Sequence, residues 1–159
     1  MTGKTVSRAA NESDAVWMLG GLYEIKVSSD ESDGAMTVME FTIPPNMGPP
    51  PHVHQQAELI HVIEGQARVH ADGQTYEAGP GTIIYFPAGT EETFEPVGDA
   101  PVRLMTVYTP GGMDRFFKEA GEPAPRREPP PAPESPPDLE RLGAIAEKYG
   151  LELRVPAQA

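Results

Sequence analysis

An all-β fold, an antiparallel barrel or jelly roll followed by short C-terminal helices, is predicted by three features of this sequence. Short runs rich in Val, Ile, Thr, Phe and Tyr recur between Val16 and Thr109; clusters of Gly, Pro and Asp separate them; and no long helical pattern intervenes. The expected strands are Leu22 to Val27, Met36 to Ile43, Glu58 to Ile63, Gln66 to Ala71, Gln74 to Glu77, Thr82 to Phe86, Thr93 to Val97 and Val102 to Tyr108. Asp72-Gly73 supplies a hairpin turn inside Ala71-Asp72-Gly73-Gln74, and Glu64-Gly65 a second reversal. Short strands spaced this way close most readily on themselves.

After Thr109 the pattern changes. Met113, Phe116 and Phe117 fall at helical spacing within Gly112 to Glu119, and Gly121 follows as a stop, which predicts a short helix packed on the barrel. Glu122 to Pro137 carries eight prolines in sixteen residues and too few apolar side chains to fold alone, so it reads as a stiff linker or strap. Ser135-Pro136-Pro137-Asp138 resembles a helix start with a capping serine, leading into Leu139, Leu142, Ile145 and Ala146 on one face and ending at Gly150. That stripe needs a partner, either its own barrel or a second subunit. The expected organisation is an N-terminal arm (1–15), a barrel with its closing helix (16–121), a Pro-rich linker (122–137) and a C-terminal helix and tail (138–159).

The chain has 159 residues, enough for one core, of which 38% are hydrophobic. With no cysteine, it must stand on packing without disulfides or thiolate ligands. Met1 to Asp14 hold no apolar run of signal-peptide type and no spanning segment occurs, so a soluble, cytoplasmic protein is expected. Twenty-four acidic against twelve basic side chains give a formal charge of -12, which disfavours nucleic acid and anionic membranes as partners and favours solubility.

In the stretch from Gly48 to Glu58, His52 and His54 are separated by one residue and project from the same face of an extended strand. Two imidazoles side by side can chelate one ion, and Glu58, reached after a bend, offers a hard oxygen. The set suits a single divalent Fe, Mn, Ni, Co or Zn ion. The duller alternative is a pair of hydrogen-bonded barrel histidines with no metal. His61 falls on the opposite strand face from Glu58 and Ile60, and His61 and His70 read as surface or interface residues. Trp17, Met18, Met36, Met39, Met47 and Tyr85 are candidates for lining a cavity or, more plainly, for the core.

These residues give the chain its resemblance to the cupin superfamily, whose first motif is matched by His52, His54, Glu58 and Gly65, with Gly48 two residues nearer the histidines than usual. Gly81, Pro87 and Gly89 match the second motif, but Glu92 stands where its histidine belongs. The resemblance covers about residues 16 to 118, and Thr109 to Phe117 is similar to the barrel exit of the small quercetin 2,3-dioxygenase-like group. It implies a cupin β-barrel with His52, His54, Glu58 and Glu92 as metal ligands. It also implies a metal-dependent enzyme, first of all a dioxygenase, acting on a small aromatic or polyketide-like substrate.

Glu92 alters that expectation. Two histidines and two carboxylates neutralise a divalent ion, whereas three histidines and one carboxylate leave it at +1, so an enolate would be attracted less. Glu92 can instead stand back as a general base with a pKa raised by burial, beside Glu58, which favours redox-neutral isomerisation, cyclisation or elimination. It can also be a solvated loop carboxylate like Glu91. A non-catalytic small-molecule-binding barrel is the third reading. A homodimer is expected, paired through barrel edges with the C-terminal helix as a clasp.

Overall fold

The computed structural model describes residues 3–154; Met1 and Thr2 of the expected arm and 155–159 of the expected tail lie outside the described residues. Among the described residues, twelve strands, β1 (Asp14–Met18), β2 (Gly21–Val27), β3 (Thr37–Ile43), β4 (His52–His54), β5 (Ala57–Glu64), β6 (Ala67–Ala71), β7 (Gln74–Ala78), β8 (Ile83–Phe86), β9 (Glu91–Pro96), β10 (Val102–Thr109), β11 (Glu122–Pro123) and β12 (Leu151–Leu153), accompany two helices, α1 (Met113–Ala120) and α2 (Leu139–Lys148). All pairs are antiparallel. They form one sheet in the order β11-β1-β2-β3-β10-β5-β8 and a second in the order β12-β4-β9-β6-β7. This is a jelly roll, and the eight expected strands are all present to within two residues at each end.

Alternation sets the core. On β3, Thr37, Met39, Phe41 and Ile43 are buried while the residues between them are half-exposed. On β10, Val102, Leu104, Thr106 and Tyr108 do the same, and on β5 Glu58, Ile60 and Val62. The two inner faces meet with Met39, Ile43, Ile60, Val62, Val69, Val102 and Leu104 almost wholly removed from water. Each such side chain contributes roughly 1.5–3 kcal/mol of hydrophobic stabilisation. Gly65, between β5 and β6, sits at φ +80 with its Cα so close to the chain that a Cβ would lie 2.4 Å from the Pro101 carbonyl oxygen. That turn therefore excludes every side chain.

Helix α1 closes one end. Tyr23, Phe41 and Phe117 pack with ring centroids 4.7, 4.9 and 5.5 Å apart, and Phe116 joins Phe117 at 5.3 Å. Asp114 in its first turn is buried and accepts hydrogen bonds from the Ser29 backbone N–H, the Ser29 hydroxyl and the Thr37 hydroxyl. Gly121 ends the helix in extended backbone, φ -90, so its role is close approach: a Cβ there would meet the Phe117 and Trp17 carbonyl oxygens at 2.9 Å.

Three features depart from the sequence reading. Strand β1 was not expected, because Asp14–Met18 lacks clean alternation; its outer side is covered by the proline segment. Glu122–Pro123 pairs with β1, the Trp17 indole N–H donates to the Glu128 carbonyl at 2.8 Å, and Arg126 lies over the Trp17 ring. The N-cap of α2 is Asp138, whose carboxylate accepts from the Arg141 N–H at 3.0 Å, and not Ser135. A cap at Ser135 would place Pro136 before Pro137 inside the first turn, and a residue preceding proline is pushed out of helical backbone. Beyond Gly150 the chain becomes β12, pairing with β4, and α2 buries Leu142, Ile145 and Ala146 against its own barrel.

The N-terminal arm is pinned by Arg8, whose guanidinium donates to both Glu31 carboxylate oxygens. That ion pair, with the Ser28 N–H also donating, holds Glu31 at about 2, well below its ordinary 4.5. A lowered carboxylate pKa gives stability that is complete above the unfolded value and is lost as pH falls toward the folded one. Protease sensitivity of the arm is therefore expected to rise between pH 4.5 and 2, and Arg8→Ala should show that sensitivity already at neutral pH.

Candidate metal centre

The site lies between the two sheets. In β4 the Pro49-Pro50-Pro51 run ends and three residues extend, putting His52 and His54 on the inner face with Val53 between them. Strand β9 lies beside it in a register that sets Glu92 directly opposite His52, so the two share that face. From the other sheet β5 presents Glu58, which is opposite Tyr108 of β10. Sequence positions 40 residues apart thus meet because β4 and β9 are neighbours.

One ligand atom from each of His52, His54 and Glu92 lies within 4.8 Å of the others, so these three side chains are placed to hold a metal ion. Glu92 Oε1 is 3.4 Å from His52 Nε2 and 3.6 Å from His54 Nε2. Both imidazoles are fixed from behind: His52 Nδ1 is 2.9 Å from the Pro50 carbonyl and His54 Nδ1 2.9 Å from the Gln56 carbonyl. A carbonyl only accepts, so each Nδ1 carries the proton and each Nε2 faces the centre, the arrangement that orients metal-binding histidines. Glu92 Oε2 is buried and has no hydrogen-bond partner among the described residues. A buried carboxylate oxygen left unpaired is costly, and an ion beside it would satisfy it. The donor set and this orphaned oxygen fit a divalent cation.

Glu58 is built differently. Its Oε1 accepts from the Thr106 hydroxyl at 3.0 Å and its Oε2 lies 3.0 Å from His54 Nε2. Burial and then the Glu92 charge push its pKa up to about 7, against the pull of His54. Glu92 resists burial through hydrogen bonds with His52, His54 and Glu58 and is held down at about 2. The raised carboxylate anticipated at position 92 is therefore at 58, because Glu92 has two imidazole partners and Glu58 only one. Glu92 is also no solvated loop carboxylate: it is 6% exposed, whereas Glu91 faces solvent.

His54 is held up at about 10; burial opposes its charge, but hydrogen bonds to Glu58 and Glu92 outweigh it. At neutral pH the metal-free centre accordingly carries a proton that a cation must displace. Zinc titration near pH 7 in buffers of different ionisation enthalpy should show about one proton released per ion bound, and a His54→Gln variant should release less.

The structure also adds residues that sequence reasoning missed. Tyr108 stands edge-on to His54 with ring centroids 5.4 Å apart, and burial, then the Glu58 and Glu92 charges, raise its pKa. Phe94, Met113, Leu142, Leu151 and Leu153 join it around a cavity of about 50 Å³ that also exposes His52, Glu58 and Glu92. Of the candidate lining residues only Met18 reaches this cavity; Met39 is core, and Tyr85 and Met36 face solvent because β8 and the start of β3 turn those positions outward. His61 lies on the outer face of β5, and His70 is exposed beside Thr75.

A double-sheet jelly roll with a histidine and carboxylate cluster between its sheets is the class that this fold and site define. Residues 39–108 match the family described as Cupin domain. The chain is 25% identical over 115 residues to quercetin 2,3-dioxygenase of Bacillus subtilis (strain 168), covering 72% of this chain and 34% of that protein. It is 34% identical over 73 residues to L-ectoine synthase of Bordetella parapertussis, covering 45% of this chain and 55% of that protein. The matches thus span about a third and about half of these two curated relatives. Among solved structures, an RmlC-like cupin from Shewanella frigidimarina superposes with TM-score 0.62 at 13% identity, over 72% of this chain and 99% of that one. KdgF from Halomonas sp. does so with TM-score 0.59 at 16% identity, over 67% and 96%. Residues 39–108 thus carry a cupin domain match, and the jelly roll around them has the fold of the cupin structures.

Proposed function

We propose that this protein is a metal-dependent enzyme that moves a proton on a small organic substrate, in an enolisation, isomerisation, cyclisation or elimination. The observation that carries it is the division of labour in the cavity. His52, His54 and Glu92 converge within 4.8 Å, while a second carboxyl, Glu58, bound by the Thr106 hydroxyl and 3.0 Å from His54 Nε2, faces the same space. A divalent ion in the cluster would polarise a substrate carbonyl as a Lewis acid. Glu58 then takes a proton from the carbon beside that carbonyl and returns it to a second atom of the same substrate, so no oxidant is consumed. Thr106 fixes the carboxyl for that transfer, and Tyr108, Phe94 and Met113 supply apolar walls around it.

A dioxygenase is the second reading, favoured by the longer likeness to quercetin 2,3-dioxygenase. The two separate in one experiment. Protein loaded in turn with Mn, Fe, Co, Ni and Zn is offered enolisable 1,3-diketones in deuterated water, and quercetin in an oxygen-electrode cell. Deuterium incorporation that Glu58→Gln abolishes without loss of bound metal supports proton transfer. Oxygen uptake without such exchange would replace it by the dioxygenase, and neither activity with any metal would leave a binding protein.

A further inference from the structure

The cavity at the metal centre, about 50 Å³, has room for a few water molecules, each needing roughly 10–15 Å³ of such space, and is far below the several hundred Å³ of an organic-ligand pocket. Substrate must displace part of the wall. A second space, about 540 Å³, lies under the proline strap, between the β1–β2 turn, the end of α1 and the start of α2. Met18, Leu19 and Leu142 belong to both walls, so these three side chains are all that is shared between groove and centre.

Leu19 is unusual in its backbone. It occupies the first position of the two-residue Leu19-Gly20 turn, at φ +49, where asparagine, aspartate or glycine is the ordinary choice. A leucine there is strained, and its side chain is partly buried against the core at the boundary between the two spaces. Nothing in the hairpin itself calls for leucine. The groove is walled by Trp17 and by Pro130, Pro131 and Pro133; its charged groups are Glu122, Asp138 and Arg141, and the Arg141 guanidinium already donates to the Ala120 carbonyl. Among the described residues the groove itself thus offers no unpaired cation for an anionic ligand.

We infer that the substrate enters through the groove beneath the strap, with Leu19, Met18 and Leu142 as the movable door, and that it is an uncharged, largely apolar molecule. This rests on the reading of the barrel as a small-molecule enzyme. The test uses metal-free protein, so failure to bind metal would sink that reading without deciding this one. Trp17 is the sole tryptophan and lies in the groove wall, which makes its fluorescence a local reporter. The uncharged nitroaromatic 4-nitroacetophenone should quench it saturably, and 4-nitrobenzoate at least tenfold more weakly. Pro130→Asp, in the strap wall, should abolish the saturable component. The door is read separately, as the rate at which diethylpyrocarbonate modifies His52 relative to exposed His70. Leu19→Gly, which keeps the turn and removes the side chain, should raise that ratio several-fold. Linear quenching alone, quenching indifferent to Pro130→Asp, or an unchanged histidine ratio in Leu19→Gly would each overturn the route.

Discussion

Replacing Glu92 by glutamine is expected to weaken divalent-metal binding on the order of a hundredfold or more while leaving the barrel folded. Glu92 supplies the one anion among the three convergent side chains, and its Oε1 faces both His52 and His54 at 3.4 and 3.6 Å. Glutamine keeps the shape and one oxygen but not the charge. It also directs an amide donor toward a region where an ion would otherwise compensate Glu92 Oε2. His54→Ala should be at least as severe, since it removes a ligand and leaves Glu58 and Glu92 facing one another with less positive charge between them. Calorimetric titration of zinc and manganese into each variant measures the effect. Wild-type affinity in Glu92→Gln would place any metal elsewhere.

The second large effect concerns stability. Asp114→Ala should cost about 3 kcal/mol, because a charged acceptor of three buried hydrogen bonds disappears and the Ser29 N–H and Thr37 hydroxyl lose their partner. Thr37 in turn accepts from the Gly112 N–H, so the entry to α1 loosens as well. For a domain of this size that loss lowers the melting temperature by about 10 °C. Asp114→Asn, which retains an acceptor, should recover roughly half of it. Urea unfolding of the three proteins decides the matter; a loss below about 1 kcal/mol would mean that water takes over Asp114's bonds.

The barrel was legible because burial on β3, β5 and β10 alternates cleanly, so hydrophobic pattern and pleat agree. His52 and His54 were legible for the same reason, a two-residue period on one face. Glu92 needed more: its place depends on β9 lying beside β4 in a register that no local pattern encodes, and only the motif resemblance pointed to it. Thr106 and Tyr108 were invisible as site residues because they read as ordinary strand residues until β10 is paired with β5. Leu151–Leu153 was lost inside the expected tail, since three residues after Gly150 carry too little pattern to show that they pair with His52–His54, about a hundred positions earlier. The division between Glu58 and Glu92 was also beyond sequence, because it follows from how many imidazoles each carboxylate meets.

The most direct test is the metal content of wild-type protein reconstituted with divalent ions and freed of excess, measured by elemental analysis together with the melting temperature. One ion per chain, with a rise of several degrees and both effects lost in His52→Ala and His54→Ala, is the expected result, because an ion bound only by the folded state must stabilise it. No stoichiometric ion and no thermal shift with Mn, Fe, Co, Ni or Zn would contradict a metal centre and leave a barrel whose histidines and carboxylates serve only one another.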